Sequence, residues 1–580
     1  MDTATFARRI PALVVSKPAT VFTTAATALS FFALTPTPPL LLVIGLLTVL
    51  RLSAWTFVPR QHGYVKGGVQ AIFISIAAGA AHLAPSMQAL STPNVALVVF
   101  SAISLIASSF AVGVVFFSVR AGRLSTSQWA QLTVFPALWA SAWGFTSHVS
   151  PVGQLVTWSP VLGLGPYEWT RQVMGQWAID WIAAAWAVVA SEVLGNMVVG
   201  GSGAQAATID DVEPLIDHDD THDHRDYPHS LSKPSPTALS RSRSLASLTV
   251  LLLLLMVPTY FTASLPAPLN SEHTTPFGVA CALPDPHSAR DGKLTLRHYI
   301  NATQVLQNKA NIVLWPESAV RFDSSKERDA AFALIQNLTH AGNKYIGVSF
   351  EEFVPQEGKY RNGFVLLPGL TGPPVFEYYK RNLVPIAESF SLVPGHEAPG
   401  MFNMTLGKRT KVRPIPITAS ICLDFASSSS FTALESRPAL ILAPARTWHI
   451  GVGLAMWEQA KARAAETGST VVWCDGGEGG ISGIANAAYS EIVQVGPGLW
   501  DKQIGLPFPF DERRTVFTWG GSALAFLIVW LTTGTGFAVE GVVRRAVRSS
   551  VVGSVAGLIA KILPKKVNRA TPNEETSLLG

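Results

Sequence analysis

Apolar and polar positions divide the chain into two kinds of sequence. Long apolar runs fill most of residues 1–200 and return at 245–265 and 515–537. Eight such runs, at about 18–35, 39–57, 68–85, 95–118, 128–148, 176–199, 245–265 and 515–537, each approach the ~20 residues that a helix needs to cross a bilayer. The first passes straight into the second across Pro36-Thr37-Pro38-Pro39, so it reads as a retained span and not as a cleaved leader. Residues 149–175 are apolar but broken by Pro and Gly; they cannot span, and Trp158, Tyr167 and Trp169 are expected as aromatic anchors at the outer interface. Asp180 and Glu192 fall near the ends of the sixth run, where interfacial exposure is the expectation.

Between 266 and 514 the pattern changes to short apolar runs alternating with amphipathic ones. FGVACAL, NIVLWPE, KYIGVSF, GFVLLPG, VFEYYK, ITASICL, ALILAPA, TVVWCDG and EIVQVG read as strands. ATQVLQNKA, ERDAAFALIQNLTHAG and GLAMWEQAKARAAETG read as helices, and the mixture predicts layered α/β structure. Residues 201–244 are polar and rich in Ser and Pro, and the run DHDDTHDHRDYPH at 217–229 fixes no coordination geometry, so it reads as a solvated, disordered loop and not as a metal site.

Composition strengthens the membrane reading. Hydrophobic residues make up 48% of the chain and charged residues 14%, against about 25% in soluble domains. The net charge of +5 is small and the basic residues sit beside apolar runs, which favours topology signals over a nucleic-acid surface. Arg8, Arg9 and Lys17 precede the first run; Arg60 and Lys66, Arg120 and Arg123, Lys233, Arg241 and Arg243, and Arg544, Arg545 and Arg548 occupy alternate connections. The positive-inside rule then puts both termini in the cytosol and residues 266–514 outside it. The sequons Asn301-Ala302-Thr303, Asn337-Leu338-Thr339 and Asn403-Met404-Thr405 all fall in that segment, as a lumenal or extracellular glycoprotein would require. The division is therefore a six-span membrane domain (1–200), a cytosolic loop (201–244), a seventh span (245–265), an extracytoplasmic domain (266–514), an eighth span (515–537) and a basic cytosolic tail (538–580). The tail has basic and apolar residues at helical spacing, and its end, Glu574 with Leu578-Leu579, is similar to an acidic dileucine sorting signal.

Chemistry concentrates at three strand ends. ITASICLDF (417–425) closes on Cys422, IVLWPESAV (312–320) places Glu317 after an apolar run, and EYYKRNLVPIAESF (377–390) places Lys380 after another, with Glu388 eight residues on. A cysteine at the end of a buried strand is inert core more often than a nucleophile, but a base and a cation in matching positions change that balance. Glu, Lys and Cys in this order resemble the triad of the nitrilase, or carbon–nitrogen hydrolase, superfamily. Trp315-Pro316-Glu317, Tyr379-Lys380-Arg381 with Leu383-Val384-Pro385 and Glu388, and Ile421-Cys422-Leu423-Asp424 resemble its membrane branch, the apolipoprotein N-acyltransferases.

The resemblance implies a polytopic α-helical membrane domain of about eight spans joined to an α/β sandwich layered α-β-β-α. It implies Glu317 as general base, Lys380 as the cation that stabilises thiolate and oxyanion, and Cys422 as nucleophile. Glu388 is the supporting glutamate, the Leu423 N–H an oxyanion donor, and Trp448 an aromatic flanking the substrate pocket. Asp424 and Leu423 stand where the acyltransferases carry Glu and Tyr, which leaves the bacterial substrate open. With Cys422 so employed, Cys281 and Cys474 are left either to pair or to remain free. The implied activity is transfer of an acyl chain from a membrane phospholipid, through a Cys422 thioester, to an amine such as a protein N-terminus, with no cofactor or metal. The alternative is a membrane-anchored amidase or nitrilase acting on a small amide or nitrile, with water as the second nucleophile.

Overall fold

The computed structural model describes residues 14, 16–90, 92–125, 127–200, 236–262, 265–289, 292–339, 344–369, 372–406 and 412–548. The His/Asp run at 217–229, Arg8, Arg9, Lys233 and the dileucine end lie outside the described residues. Apolar runs become helices α1 (Pro18–Ala33), α2 (Leu40–Phe57), α3 (Gly63–Ala81), α4 (Pro93–Leu124), α5 (Gln128–Val149), α6 (Gln176–Gly200) and α7 (Pro236–Leu254). Six helical stretches are long and apolar enough to cross a membrane: Leu40–Phe57, Gly63–Ala81, Pro93–Leu124, Gln176–Asn196, Arg241–Phe261 and Val516–Val539. Of the other two expected spans, Pro18–Ala33 is apolar but has only 16 residues. Gln128–Val149 has the length, at 22 residues, but carries Gln, Ser and His and buries Thr133, Trp139 and Trp143 inside the bundle. Leucines on α4 and the final helix stay exposed, while Leu46, Leu47, Leu50, Trp139, Ile179 and Ala184 form the bundle core.

The segment between 266 and 514 folds as two facing sheets. The first has seven strands, in the order β13 (Trp500–Pro507), β1 (Thr274–Cys281), β2 (Ile312–Leu314), β4 (Tyr345–Val354), β5 (Lys359–Pro368) and β6 (Phe376–Tyr379), with β3 (Val320–Phe322) pairing β4. The second has six, in the order β12 (Ser490–Val495), β11 (Ile481–Ala485), β10 (Thr470–Asp475), β9 (Leu440–Ala445), β8 (Arg413–Ala419) and β7 (Phe402–Leu406). Strand alternation assigns the faces. Phe277, Val279, Cys281, Ile312, Leu314, Phe364 and Leu366 point inward to meet Ile417, Ala419 and Leu442 of the second sheet. Their neighbours Ala280, Val313, Trp315, Val365 and Leu367 point outward under helices α8 (Leu296–Leu306) and α9 (Ser325–Thr339). Helix α10 (Ile450–Thr467) covers the other sheet through Met456, Trp457, Ala460 and Ala464. The layering is thus α-β-β-α. A disulfide joins Cys281 at the end of β1 to Cys474 on β10, with Cα atoms 5.8 Å apart, and so ties one sheet to the other.

Two expectations about the bundle need correction. The segment 149–175 is not an outer-surface anchor, because it is wedged between the bundle and the sandwich. Trp158 and Tyr167 are buried; the Tyr167 hydroxyl donates to Leu252 O at 3.2 Å and Trp169 Nε1 to Leu255 O at 2.8 Å. Asp180 and Glu192 are buried rather than exposed, because each is matched by donors. Asp180 accepts from Ser159 at 3.0 Å and Gln176 at 3.4 Å, and Glu192 accepts from Arg241 at 2.8 Å and Arg51 at 3.5 Å. The bundle runs on into helix α11 (Val516–Arg548), which breaks at Gly521, whose φ of 58° suits a residue without a Cβ.

Candidate active site

The first sheet supplies an acid and a base-paired cation; the second supplies a thiol. Strand β2 ends at Leu314, and the chain turns so that the Glu317 N–H donates to Ala445 O, at the end of β9 in the opposite sheet, at 3.3 Å. The turn is tight enough to put Ser318 at a φ of 51°. Lys380 follows β6 directly, and its N–H donates to Asn362 O on the adjacent β5 at 2.9 Å. Its side chain reaches inward, with no exposure to water, to place Nζ 2.7 Å from Glu317 Oε1 and 2.8 Å from both oxygens of Glu388. Glu388 is anchored in turn by the Val384 N–H at 2.8 Å.

Cys422 does not close its strand, as the sequence pattern suggests. Strand β8 ends at Ala419, and Cys422 opens a buried 3₁₀ turn, Cys422–Ala426, with a φ of 42°. A positive φ at a residue with a Cβ is strained and persists only where surroundings impose it. Asp424 imposes it here. Its carboxylate accepts from the Asn382 N–H and Nδ2 at 2.8 and 2.9 Å, from the Arg381 N–H at 3.2 Å, from the Tyr378 hydroxyl at 2.8 Å and from the Ile421 N–H at 3.2 Å. The residues just after Lys380 are thereby fastened to the turn that bears Cys422. The Leu423 N–H lies within the same turn, one residue after the thiol.

Burial dominates the electrostatics. Burial pushes the Glu317 carboxyl up to about 7, Lys380 opposing and Glu388 adding to the rise. Burial likewise pushes the Cys422 thiol up, with Glu317 adding to it while Lys380 and the Arg446 peptide N–H oppose. Burial works against the Lys380 charge, yet Glu317, Cys422 and Glu388 together hold its affinity for the proton above the ordinary value. Burial thus favours the protonated thiol, the neighbouring carboxyls favour the charged lysine, and the Glu317 carboxyl is brought near neutrality.

Glu317, Lys380, Cys422, Glu388, Leu423 and Asp424 converge on this one place. Trp448 is directed elsewhere: its Nε1 donates to Pro85 O at 3.1 Å, in the short helical turn Leu83–Met87 of the bundle. Asn362, whose Nδ2 donates to Glu317 Oε1 at 2.8 Å, carries no sequence signal, because a single amide beside an apolar run belongs to no motif. The same holds for Asp475, which fixes the loop after β9 through the Thr447 N–H and hydroxyl at 2.9 and 2.7 Å. A further set lies where the bundle meets the Cys422 turn. Arg463 on α10, fully buried, donates to Phe425 O at 3.5 Å, to Gln154 Oε1 at 3.2 Å and to Glu466 at 2.7 Å. Beside Gln154, Gly153 has a φ of 55°, and a Cβ there would fall 2.2 Å from Ala426 O. The segment linking α5 to α6 thus presses on the far end of the Cys422 turn. Among the described residues no group of three or more His, Cys, Asp and Glu side chains is arranged to hold a metal ion.

No family model matches the chain, and no curated protein matches it. Among solved structures it is similar to Saccharomyces cerevisiae Nit3, a member of branch 10 of the nitrilase superfamily, at 16% identity and a TM-score of 0.32, over 42% of this chain and 93% of that one. It is similar also to an amidase from Nesterenkonia sp. AN1, at 18% identity and a TM-score of 0.28, over 40% and 93%. A glutamine-dependent NAD(+) synthetase from Cytophaga hutchinsonii matches at 13% identity and a TM-score of 0.28, over 40% and 43%.

Proposed function

We propose that the protein is an integral-membrane enzyme that moves an acyl chain from a phospholipid to an amine through a thioester on Cys422. The observation that carries this reading is the seating of the catalytic turn on the bundle: Gly153 meets Ala426, and Gln154 is joined through Arg463 to Phe425. Such a contact suits an enzyme fed from a bilayer, which needs its nucleophile at the bundle's edge. Glu317 takes the thiol proton as sulfur attacks the ester carbonyl. Lys380, with the Leu423 N–H, stabilises the oxyanion, and the lysophospholipid alcohol leaves with the proton. An amine then attacks the thioester and gives a proton to Glu317; the C–S bond breaks as the amide forms, and the sulfur takes that proton back to regenerate the thiol. Eight crossings, both termini in the cytosol and an extracytoplasmic sandwich complete the proposal; Asn301, Asn337 and Asn403, all exposed, are the groups that this orientation would offer for glycosylation. In liposomes holding a phospholipid labelled in its acyl chain, with an amine-terminated peptide added, an amide-linked acyl peptide is expected. Release of free fatty acid or of ammonia from a small amide, with no acylated peptide, would reassign the protein to hydrolysis.

A further inference from the structure

We propose that Asn362 is a positioning residue for the general base: it holds one oxygen of Glu317 so that the other is left for the Cys422 thiol. This rests on the triad reading above. Asn362 lies on β5 and is 1% exposed. Its Nδ2 donates to Glu317 Oε1 at 2.8 Å, and the same oxygen takes the Lys380 Nζ at 2.7 Å. Two donors occupy both lone pairs of Oε1, so the carboxylate oxygen free to receive the sulfur proton is Oε2. Through its carbonyl, Asn362 also takes the Lys380 N–H at 2.9 Å, so a single residue sets both the head of the base and the root of the lysine. Its backbone is held within the sheet, where it pairs with Glu351 of β4 on one side and accepts from Lys380 on the other.

A role in stability alone does not account for this side chain. Asn is disfavoured in strands, and a buried amide is costly unless both its ends are bonded. Here Oδ1 is buried and has no hydrogen-bond partner among the described residues. The side-chain bond that the amide does make goes to the base.

Because Cys281 and Cys474 are bonded to each other and the chain has three cysteines, Cys422 is the free thiol, and alkylation reports on it alone. The full-length protein in detergent is to be treated with iodoacetamide across the neutral range, and the pH midpoint of the labelling rate measured for wild type, Asn362→Leu, Asn362→Ala and Glu317→Gln. A hydrogen bond to a carboxylate favours its charged form, so losing the amide donor should move the midpoint upward by about one pH unit in both Asn362 variants. Rates lowered by the same factor at every pH, with an unmoved midpoint in whichever Asn362 variant folds, would overturn the proposal while leaving the triad standing, provided that Glu317→Gln does shift it. A midpoint indifferent to Glu317→Gln would overturn the triad reading itself.

Discussion

Lys380 has a carboxylate on either side, 2.7 Å from Glu317 and 2.8 Å from Glu388, inside a site where its side chain is wholly shielded from water. Removing one partner of such a buried pair typically costs ~3–5 kcal/mol, because the other charge is left uncompensated. Charge alone does not meet the demand, since a guanidinium is a planar fork wider than an ammonium. Lys380→Arg should therefore lower turnover by ~10²-fold or more with the protein still folded; wild-type turnover in that variant would remove Lys380 from the reacting centre. With Glu317 as the proposed base, the acid limb of the pH profile should belong to it. Its carboxyl is raised to about 7, chiefly by burial, and below that pH it keeps its proton and cannot accept another. Turnover should accordingly climb as pH rises through about 7, and Glu317→Gln should erase that limb. Glu317, Lys380 and Cys422 were legible in the sequence because each is a polar group closing an apolar run within a longer recognisable stretch. Asn362 was not, because its partners Glu317 and Lys380 follow β2 and β6, and only the folded sheet, with β4 between β2 and β5, brings them to it.

At the scale of elements, the two sheets carry different members of the proposed triad: Glu317 and Lys380 on one, Cys422 on the other. The Cys281–Cys474 disulfide crosses between them over 193 residues of sequence, one residue from Asp475, which braces the loop after β9. Its loss should cost stability of the order of ~2–5 kcal/mol. Thermal unfolding of the Cys281→Ser, Cys474→Ser double variant in detergent should show a clearly lowered Tm; an unchanged Tm would deny the bond this role. Nine strands were visible from the sequence as apolar runs. Four were not, each for its own reason. Val320–Phe322 has three residues, Phe402–Leu406 is an edge strand holding the Asn403 sequon, Ile481–Ala485 contains Gly483, and Trp500–Pro507 is interrupted by the consecutive polar residues Asp501, Lys502 and Gln503. Helix α8 starts at Leu296, earlier than its apolar pattern suggests, because Thr295 and His298 cap it.

At the scale of the whole molecule, bundle and sandwich meet through the segment after α5, and the sequence did not reveal that meeting. An apolar stretch rich in Trp, Pro and Gly suits a lipid interface and a protein contact equally, and only the packing of Gly153 and Gln154 decides between them. Gly153→Ala combines a disfavoured φ of 55° with a Cβ 2.2 Å from Ala426 O, so the Cys422 turn must shift. A loss of turnover of ~10-fold or more is expected, in keeping with the sensitivity of catalysis to small misplacements; full activity in a folded Gly153→Ala protein would disconnect the bundle from the site. The central claim is that Cys422 carries the acyl group between donor and acceptor. Purified protein incubated with phospholipid and no amine, then digested and analysed by mass spectrometry, tests it most directly. A hydroxylamine-labile acyl adduct on the peptide containing Cys422, absent in Cys422→Ala, is the predicted result. Acyl transfer undiminished in Cys422→Ala, or no adduct from phospholipid in a protein that releases ammonia from a small amide, would contradict it.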